Sequence, residues 1–253
     1  MSYKIQQGFN ASAKEYDRFS ALHREIADKL LARVLKGIVP SSVLDVGCGT
    51  GYLTGKIKEQ FPRGYVVGLD FAQRMLEIAA MKHEGIDWVL GSSDRLPFDD
   101  GNFDILVSNL AYQWAEDLTK SFSEAWRALA PGGIFAVTLF GHNTCQELFQ
   151  ALEMSRPGAL QFTRLPDVSQ IKEALLVSGF QNPEWGVESV RVEYKGMQDL
   201  IAWLKSIGAN NMPRVGYLGK DTMARADAFY RKYFSFGSGV QASFEVISIY
   251  VKK

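Results

Sequence analysis

A short apolar run at residues 42–46 leads straight into Asp45-Val46-Gly47-Cys48-Gly49-Thr50-Gly51, and a helical pattern opens at Tyr52. This strand–loop–helix junction constrains the fold more than any other part of the chain. Glycines at 47, 49 and 51 let the backbone turn tightly and approach a ligand with no side chain between them. A loop at the carboxyl end of a strand is where open α/β sheets bind small molecules. The dinucleotide fingerprint needs G-x-G-x-x-G, and counting from Gly47 puts Tyr52 at its third glycine. The spacing here is G-x-G-x-G, which argues against a pyrophosphate cradle.

The surrounding pattern sets the architecture. Apolar residues at Leu22, Ile26, Leu30, Val34 and Leu35 fall at helical spacing within residues 20–36. Strands are expected at 42–46, 65–69, 86–90, 103–108 and 134–140, and helices at 52–61, 72–82 and 118–129. Pro131-Gly132-Gly133 supplies a stop after the last of these helices. Strands alternating with helices imply βαβ units and a parallel sheet with helices on both faces. Beyond residue 140 helices are expected at 143–154, 167–178, 196–207 and 221–233, and strands at 187–194 and 243–251. The result is an open α/β sheet with a helical insertion at 195–240, between the last two strands. We expect one domain over 1–253: N-terminal cap helices at 1–40, a ligand-binding core at 41–140 and substrate-side elements at 141–253.

Bulk properties exclude several classes. The 253 residues carry 28 Lys+Arg against 28 Asp+Glu, so the chain lacks the basic excess of a general nucleic-acid binder. Hydrophobic residues make up 47%, too many for a disordered chain. Two cysteines, Cys48 and Cys145, make no disulfide framework. His23, His83 and His142 are scattered singly and suggest no metal site. The first twenty residues lack a signal-peptide apolar core. The expectation is a cytoplasmic protein.

Asp70 ends the second expected strand. A carboxylate there can accept hydrogen bonds from a ribose diol and would repel a 2′-phosphate. It can equally cap the helix that starts near Ala72.

Asp45-x-Gly47-x-Gly49-x-Gly51, Asp70 followed by Met75-Leu76, Leu96-Pro97-Phe98 before Phe103-Asp104, and Pro131-Gly132-Gly133 together resemble the class I S-adenosylmethionine-dependent methyltransferases. The resemblance covers residues 42–140. It implies a Rossmann-like, seven-stranded, mostly parallel sheet with one antiparallel edge strand, and S-adenosyl-L-methionine as cofactor. It also implies that Asp45 and the loop Gly47, Cys48, Gly49 and Gly51 serve the methionine moiety. Asp70 would hold the ribose, with Phe71 against the adenine. Met75, Ser92, Ser93, Asp94, Asn109 and Leu110 would complete the cofactor site. One departure stands out: the family's usual Gly-Asp-Ala-Glu is Gly91-Ser92-Ser93-Asp94 here, so an uncharged serine occupies the adenine-bonding position.

Four further stretches lie outside this core: 108–114 (Ser-Asn-Leu-Ala-Tyr-Gln-Trp), Phe140-Gly141 with Thr144 and Glu147-Leu148, Leu204-Lys205 with Gly208-Ala209-Asn210, and Phe9, Ala13 and Tyr16-Asp17. Together they resemble the malonyl-[acyl-carrier protein] O-methyltransferase family, which often has Gln at the position of His23 and Leu at that of Cys145. The implied reaction methylates a carboxylate already ionised at neutral pH, so no general base is needed, and none is evident. Tyr16, Gln113 and Trp114 are candidates for the acceptor pocket; Tyr112 and Phe140 read better as core. Lys205 and Arg214 are candidates to hold the acceptor carboxylate.

The implied partner is malonyl-acyl carrier protein. Residues 195–232 hold seven basic side chains and three acidic ones, a local excess suited to an acidic partner. Lys195, Arg214, Lys220, Arg225, Arg231 and Lys232 form this expected basic face, and Arg156 and Arg164 would extend it. Methylation of another small acid or of a quinone, or a silent cofactor-binding partner role, stay open on the sequence.

Overall fold

The structure is a computed structural model that describes residues 3–158, 165–209 and 219–253. Three helices come first, α1 (Tyr3–Ser12), α2 (Tyr16–Phe19) and α3 (Ala21–Val34). The alternating part follows as β1 (Ser42–Val46), α4 (Tyr52–Gln60), β2 (Tyr65–Asp70), α5 (Gln73–Lys82), β3 (Asp87–Leu90), β4 (Phe103–Asn109), α6 (Leu118–Ala128) and β5 (Leu129–Phe140). A 3-10 turn at Tyr112–Trp114 lies between β4 and α6. Then come α7 (Gln146–Ser155), α8 (Val168–Val177), β6 (Glu184–Tyr194), α9 (Met197–Ser206), α10 (Lys220–Tyr233), β7 (Ser235–Phe236) and β8 (Gly239–Lys252).

The sheet order is β3-β2-β1-β4-β5-β8-β6, with the two-residue β7 paired to β8. Neighbours among β1 to β5 run parallel. The expected reversed strand is β8, antiparallel to both β5 and β6. It lies one place in from the edge, because β6 pairs along its outer side from Glu184↔Tyr250 to Tyr194↔Val240.

The central strands are buried on both faces, as parallel strands between helical layers must be. Leu44, Val46, Leu106 and Phe135 point towards α6 and α8, where they meet Phe122, Ile171 and Phe180. Val43, Ile105, Val107 and Ile134 point the other way, onto Leu30, Val34 and Ile57 of α3 and α4. A third apolar cluster joins Leu22 and Ile26 to α7, α9, α10 and the start of β8.

The Pro131-Gly132-Gly133 stop is also a strand. Helix α6 ends at Ala128, as expected, but β5 begins at once and its register against β4 jumps from Phe103↔Leu129 to Ile105↔Ile134. The irregular stretch is stitched to the chain end, with Gly132 N–H donating to Lys253 O at 3.1 Å and Lys253 N–H to Gly133 O at 2.8 Å. Lys253 Nζ donates to the carbonyls of Trp126 and Leu129, placing a cation at the carboxyl end of α6. Among the described residues, no helix is long and apolar enough to cross a membrane.

Candidate functional site

The carboxyl ends of β1, β2, β4 and β5 converge on the glycine loop. Gly47, Gly49 and Gly51 all have positive φ, 75°, 56° and 84°. The N–H groups of Gly47 and Cys48 donate to Leu69 O at 2.7 and 3.0 Å, that of Gly49 to Asp70 Oδ2 at 2.9 Å, and that of Gly51 to Cys48 O at 3.0 Å. These amides are engaged within the protein, so they form no fan of free donors for a phosphate. This is the physical counterpart of the missing third glycine.

Asp70 is buried, with Oδ2 accepting from Gly49 N–H and Oδ1 from Ala72 N–H at 2.8 Å. Each oxygen keeps a lone pair for a further donor. Asp70 does not cap α5, whose N-cap residue is Ala72, but braces the turn that leads into it. Burial pushes its carboxyl up to about 6, against the pull of its backbone hydrogen bonds. Asp45 is also buried, and Thr54 Oγ1 donates to it at 2.6 Å. Burial, helped by the charge on Asp70, pushes Asp45 up to about 7.

A raised carboxyl pKa has a definite sign for stability. Between the unfolded value near 4 and the folded value, the native state binds more protons. The contribution of Asp45 is thus full at low pH and lost as pH rises to about 7. We expect Asp45→Asn to gain stability over the wild type between pH 5 and pH 8, by a few kcal/mol, since a tenfold change in proton affinity is worth roughly 1.4 kcal/mol. Urea unfolding at both pH values checks this; an equal difference at the two would contradict it.

Three hollows open around the loop. One, of about 50 Å³, is lined by Asp70, Phe71, Met75, Gly91, Ser93 and Tyr112. A second, also about 50 Å³, is lined by Asp45, Gly47, Cys48, Arg24, Tyr52 and Asn109. The third is a cavity of about 830 Å³ with walls that include Phe140, Phe149, Trp203, Phe229 and Phe244. Tyr16 lines all three. Burial and the charges of Asp70 and Asp17 hold its hydroxyl protonated, well above the usual phenol range.

The first hollow is small because α1 lies across it. Gln6 Nε2 donates to Phe71 O at 2.6 Å, and Arg74 N–H donates to Asn10 Oδ1 at 2.9 Å. Phe9 packs edge-on against Phe71 and Trp114, with centroids 5.8 and 6.0 Å apart. Asp17 then ties α2 to the loop, accepting from Thr50 Oγ1 at 2.6 Å and pairing with Lys82. Helix α1 thus roofs the hollow on the side of Phe71.

The expected residues fall into place unevenly. Asn109 and Leu110 line the hollows; Asn109 accepts from Thr138 Oγ1 and donates to His23 O. Leu110 has φ 53°, a strained turn that swings Gln113 and Trp114 over the large cavity. Ser93 lines the first hollow, whereas Ser92 and Asp94 bond to each other at 3.4 Å and Asp94 accepts from Ser121. Cys48 is a buried free cysteine that lines the second hollow.

Phe140 is buried in the core as expected, with Phe244 at 5.5 Å, and it also walls the large cavity, 5.8 Å from His23. Tyr112 does pack in the core, against Phe122 and Phe135. Lys205 does not reach the cavity. Leu204 and Ile207 face it, while Lys205, about 100° further round α9 from Leu204, is exposed in a separate groove beside Lys220. Arg214, Asn210 and Arg164 lie outside the described residues. Glu147 is structural: it accepts from Ser243 Oγ at 2.5 Å and from Ser243 N–H at 3.1 Å, fastening α7 to β8.

The comparisons agree with this geometry. Residues 44–137 match the family described as "Methyltransferase domain". The chain is 33% identical to the malonyl-[acyl-carrier protein] O-methyltransferase of Methylococcus capsulatus, over 97% of this chain and 91% of that protein. It is 34% identical to the protein of the same name from Halorhodospira halophila, over 96% and 85%. The chain belongs to the malonyl-[acyl-carrier protein] O-methyltransferase family of S-adenosylmethionine-dependent methyltransferases. The biotin biosynthesis bifunctional protein BioHC of Teredinibacter turnerae is 34% identical over 99% of this chain, which spans only 46% of that longer protein. Among solved structures, the fold is similar to the YcgJ protein of Bacillus subtilis, with TM-score 0.64, 17% identity and coverage of 89% of this chain and 98% of that one. A methyltransferase from Thermotoga maritima has TM-score 0.59 at 17% identity, over 98% and 99%.

The methyltransferase uses S-adenosylmethionine, and the donor set around the loop suits that cofactor. A buried carboxylate with spare lone pairs stands at Asp70, and an apolar shelf is formed by Phe71 and Met75. A second carboxylate stands at Asp45, and the space around Gly49 is open. Sequence reasoning missed His23, Phe9, Trp203 and Phe244 as wall residues of this family member's cavity. Their signal was aromatic content in segments whose docking no local pattern reveals.

Proposed function

We propose that this methyltransferase transfers a methyl group to the free carboxylate of a malonyl thioester carried on acyl carrier protein, as a step of biotin biosynthesis. The observation that carries the reading is the 830 Å³ aromatic cavity meeting both smaller hollows at Tyr16. The names of the relatives support the same acceptor.

S-adenosylmethionine, when bound, supplies an electrophilic methyl group on a positively charged sulfur. Asp70, Phe71 and Met75 are the residues proposed to hold its nucleoside; Asp45, Gly47 and Gly49 are those proposed for its amino-acid end. Cys48, Ser93, Asn109 and Leu110 shape the surrounding walls, Gly51 turns the loop into α4 away from the hollows, and Ser92 and Asp94 act through the turn they brace. Tyr16, Gln113 and Trp114 enclose the acceptor end. A carboxylate with an ordinary pKa near 4 arrives ionised, so these residues need only align it and exclude water. Aromatic walls at Phe140, Trp203 and Phe244 serve that exclusion. Opposite charges merge during transfer, which a poorly solvated cavity favours over the separated ions.

The direct test is transfer of labelled methyl from S-adenosylmethionine to malonyl-acyl carrier protein, malonyl-coenzyme A and free malonate. Base-labile label on a malonyl thioester is the expected result. Tight cofactor binding with no label on any of the three would overturn the acceptor assignment.

The carrier is proposed to approach the exposed side of α9 and α10. Lys205 and Lys220 flank a groove floored by Ile201 and Met223. Lys195, Arg225, Arg231 and Lys232 are exposed on the neighbouring surface, with Arg231 partly engaged by Asp227. Lys205→Glu together with Lys220→Glu is expected to raise KM for the carrier-bound substrate about tenfold, with a smaller rise for the coenzyme A thioester. Equal rises in steady-state assays of the two substrates would contradict a carrier-binding role.

A further inference from the structure

His23 stands at the first turn of α3, next in sequence to the buried Leu22. Its ring lies edge-on to Tyr16 and Phe140, with centroids 5.9 and 5.8 Å away, and tilted 40° to Trp203 at 6.0 Å. It is thus one wall of an aromatic box. It lines both the large cavity and the hollow beside Asp45, so it stands where acceptor and cofactor compartments join.

The Nδ1 atom of His23 is buried and has no hydrogen-bond partner among the described residues. Gln113 Oε1 is also buried and without a partner among the described residues, although Gln113 Nε2 donates to Leu110 O at 2.8 Å. Both side chains line the same cavity. A buried polar atom without a partner costs stability, and such atoms in native proteins call for a ligand or another explanation.

We propose that His23 donates one imidazole N–H to the acceptor's carboxylate and so positions that carboxylate for methyl transfer. The inference rests on the carboxylate reading given above and adds the residue that holds the group. Burial lowers the imidazole pKa to about 4, so the ring is neutral at working pH, with one N–H donor and one acceptor nitrogen. The absence of charge matters for reactivity. A cationic clamp would pair tightly with the carboxylate and blunt it as a nucleophile. A neutral donor orients the anion while leaving most of its charge available. Asn109 Nδ2, donating to the His23 backbone carbonyl at 3.0 Å, fixes this part of α3 against the end of β4. Gln113 Oε1 offers only an acceptor, which suits an N–H of the thioester arm rather than the carboxylate itself.

Two substitutions separate the hydrogen bond from the packing. His23→Phe keeps a ring in the aromatic box and removes the donor. His23→Gln keeps an N–H. With malonyl-acyl carrier protein as substrate, His23→Phe is expected to raise KM by roughly tenfold or more, the scale of one hydrogen bond to a charged group. Its kcat is expected to fall less than KM rises, and its affinity for S-adenosylmethionine, read by calorimetry, to match the wild type. His23→Gln is expected to recover most of the lost KM. Wild-type KM in His23→Phe would overturn the proposal. A loss of cofactor affinity equal to the loss of activity would also overturn it, by assigning His23 to the carboxylate of the cofactor. Should His23→Phe fail to fold, the wild-type protein still decides. With ¹⁵N-labelled histidine there are three rings to assign, and adding malonyl thioester to the S-adenosylhomocysteine complex should shift the His23 nitrogens. Unmoved nitrogens under saturating thioester would refute the contact. If the wild type methylates no malonyl thioester at all, the carboxylate reading has failed, and that outcome is distinct from either result at His23.

Discussion

Asp70→Ala is expected to raise the dissociation constant for S-adenosylmethionine at least tenfold. Two effects act together. A buried carboxylate able to receive two hydroxyl donors contributes about 1.5–3 kcal/mol per hydrogen bond, so losing even one accounts for a tenfold change. The same oxygens hold the N–H groups of Gly49 and Ala72. Alanine therefore frees the glycine loop and the start of α5 along with removing the acceptor. Asp70→Asn divides the two effects, because an amide keeps one acceptor oxygen but cannot receive both backbone donors. Its affinity is expected to fall between wild type and alanine. The affinity of the wild type should strengthen as pH rises through about 6, where Asp70 ionises. Calorimetric titration checks all three statements, and unchanged affinity in Asp70→Ala would remove the ribose assignment.

Gly47→Ala is the second large effect, and Gly49→Ala is its contrast. Both positions have positive φ, where an L side chain costs about 1–2 kcal/mol. At Gly47 the added methyl would overlap Ala111 Cβ, and Ala111 immediately precedes the 3-10 turn that carries Gln113 and Trp114. Loop and turn cannot both stay in place. With roughly 1–3 kcal/mol more for overpacking, the melting temperature is expected to fall by about 5–10 °C, and cofactor binding to be lost. At Gly49 an added methyl meets nothing within 4 Å. Gly49→Ala should therefore keep most of its stability and still bind the cofactor poorly, because the methyl projects into open space beside Asp70. Thermal unfolding paired with calorimetry separates the two variants. A wild-type melting temperature in Gly47→Ala would show that the loop tolerates the overlap.

Much of the fold could be read from local pattern. The central strands β1, β2, β4 and β5 are largely buried on both faces, so their apolar runs stand out in the sequence. The glycine loop was legible for the same reason, since positive φ at 47, 49 and 51 demands the residue type seen there. Long-range docking left no such trace. Gln6 meets Phe71 and Asn10 meets Arg74 across more than sixty residues, so the packing of α1 over the hollow beside Asp70 was not visible in the polar N-terminus. Lys205 was one of two candidates to hold the acceptor, yet the rotation of α9 fixed by Leu204 and Ile207 turns it outward. His23 looked isolated because its aromatic partners come from α2, β5 and α9. Pro131-Gly132-Gly133 looked like a plain stop because its strand pairing depends on Lys253, at the far end of the chain. The raised carboxyls of Asp45 and Asp70 follow from burial at the ends of β1 and β2, which depends on the whole sheet.

The central claim is that cofactor and acceptor meet at Tyr16, one entering beside Asp70 and the other through the large aromatic cavity. A crystal structure with S-adenosylhomocysteine and a malonyl thioester tests it most directly. The account predicts the nucleoside against Asp70 and Phe71, and the malonyl carboxylate beside Tyr16, Trp114 and His23. A thioester seated in the groove between Lys205 and Lys220, with its carboxylate far from the cofactor sulfur, would contradict the account.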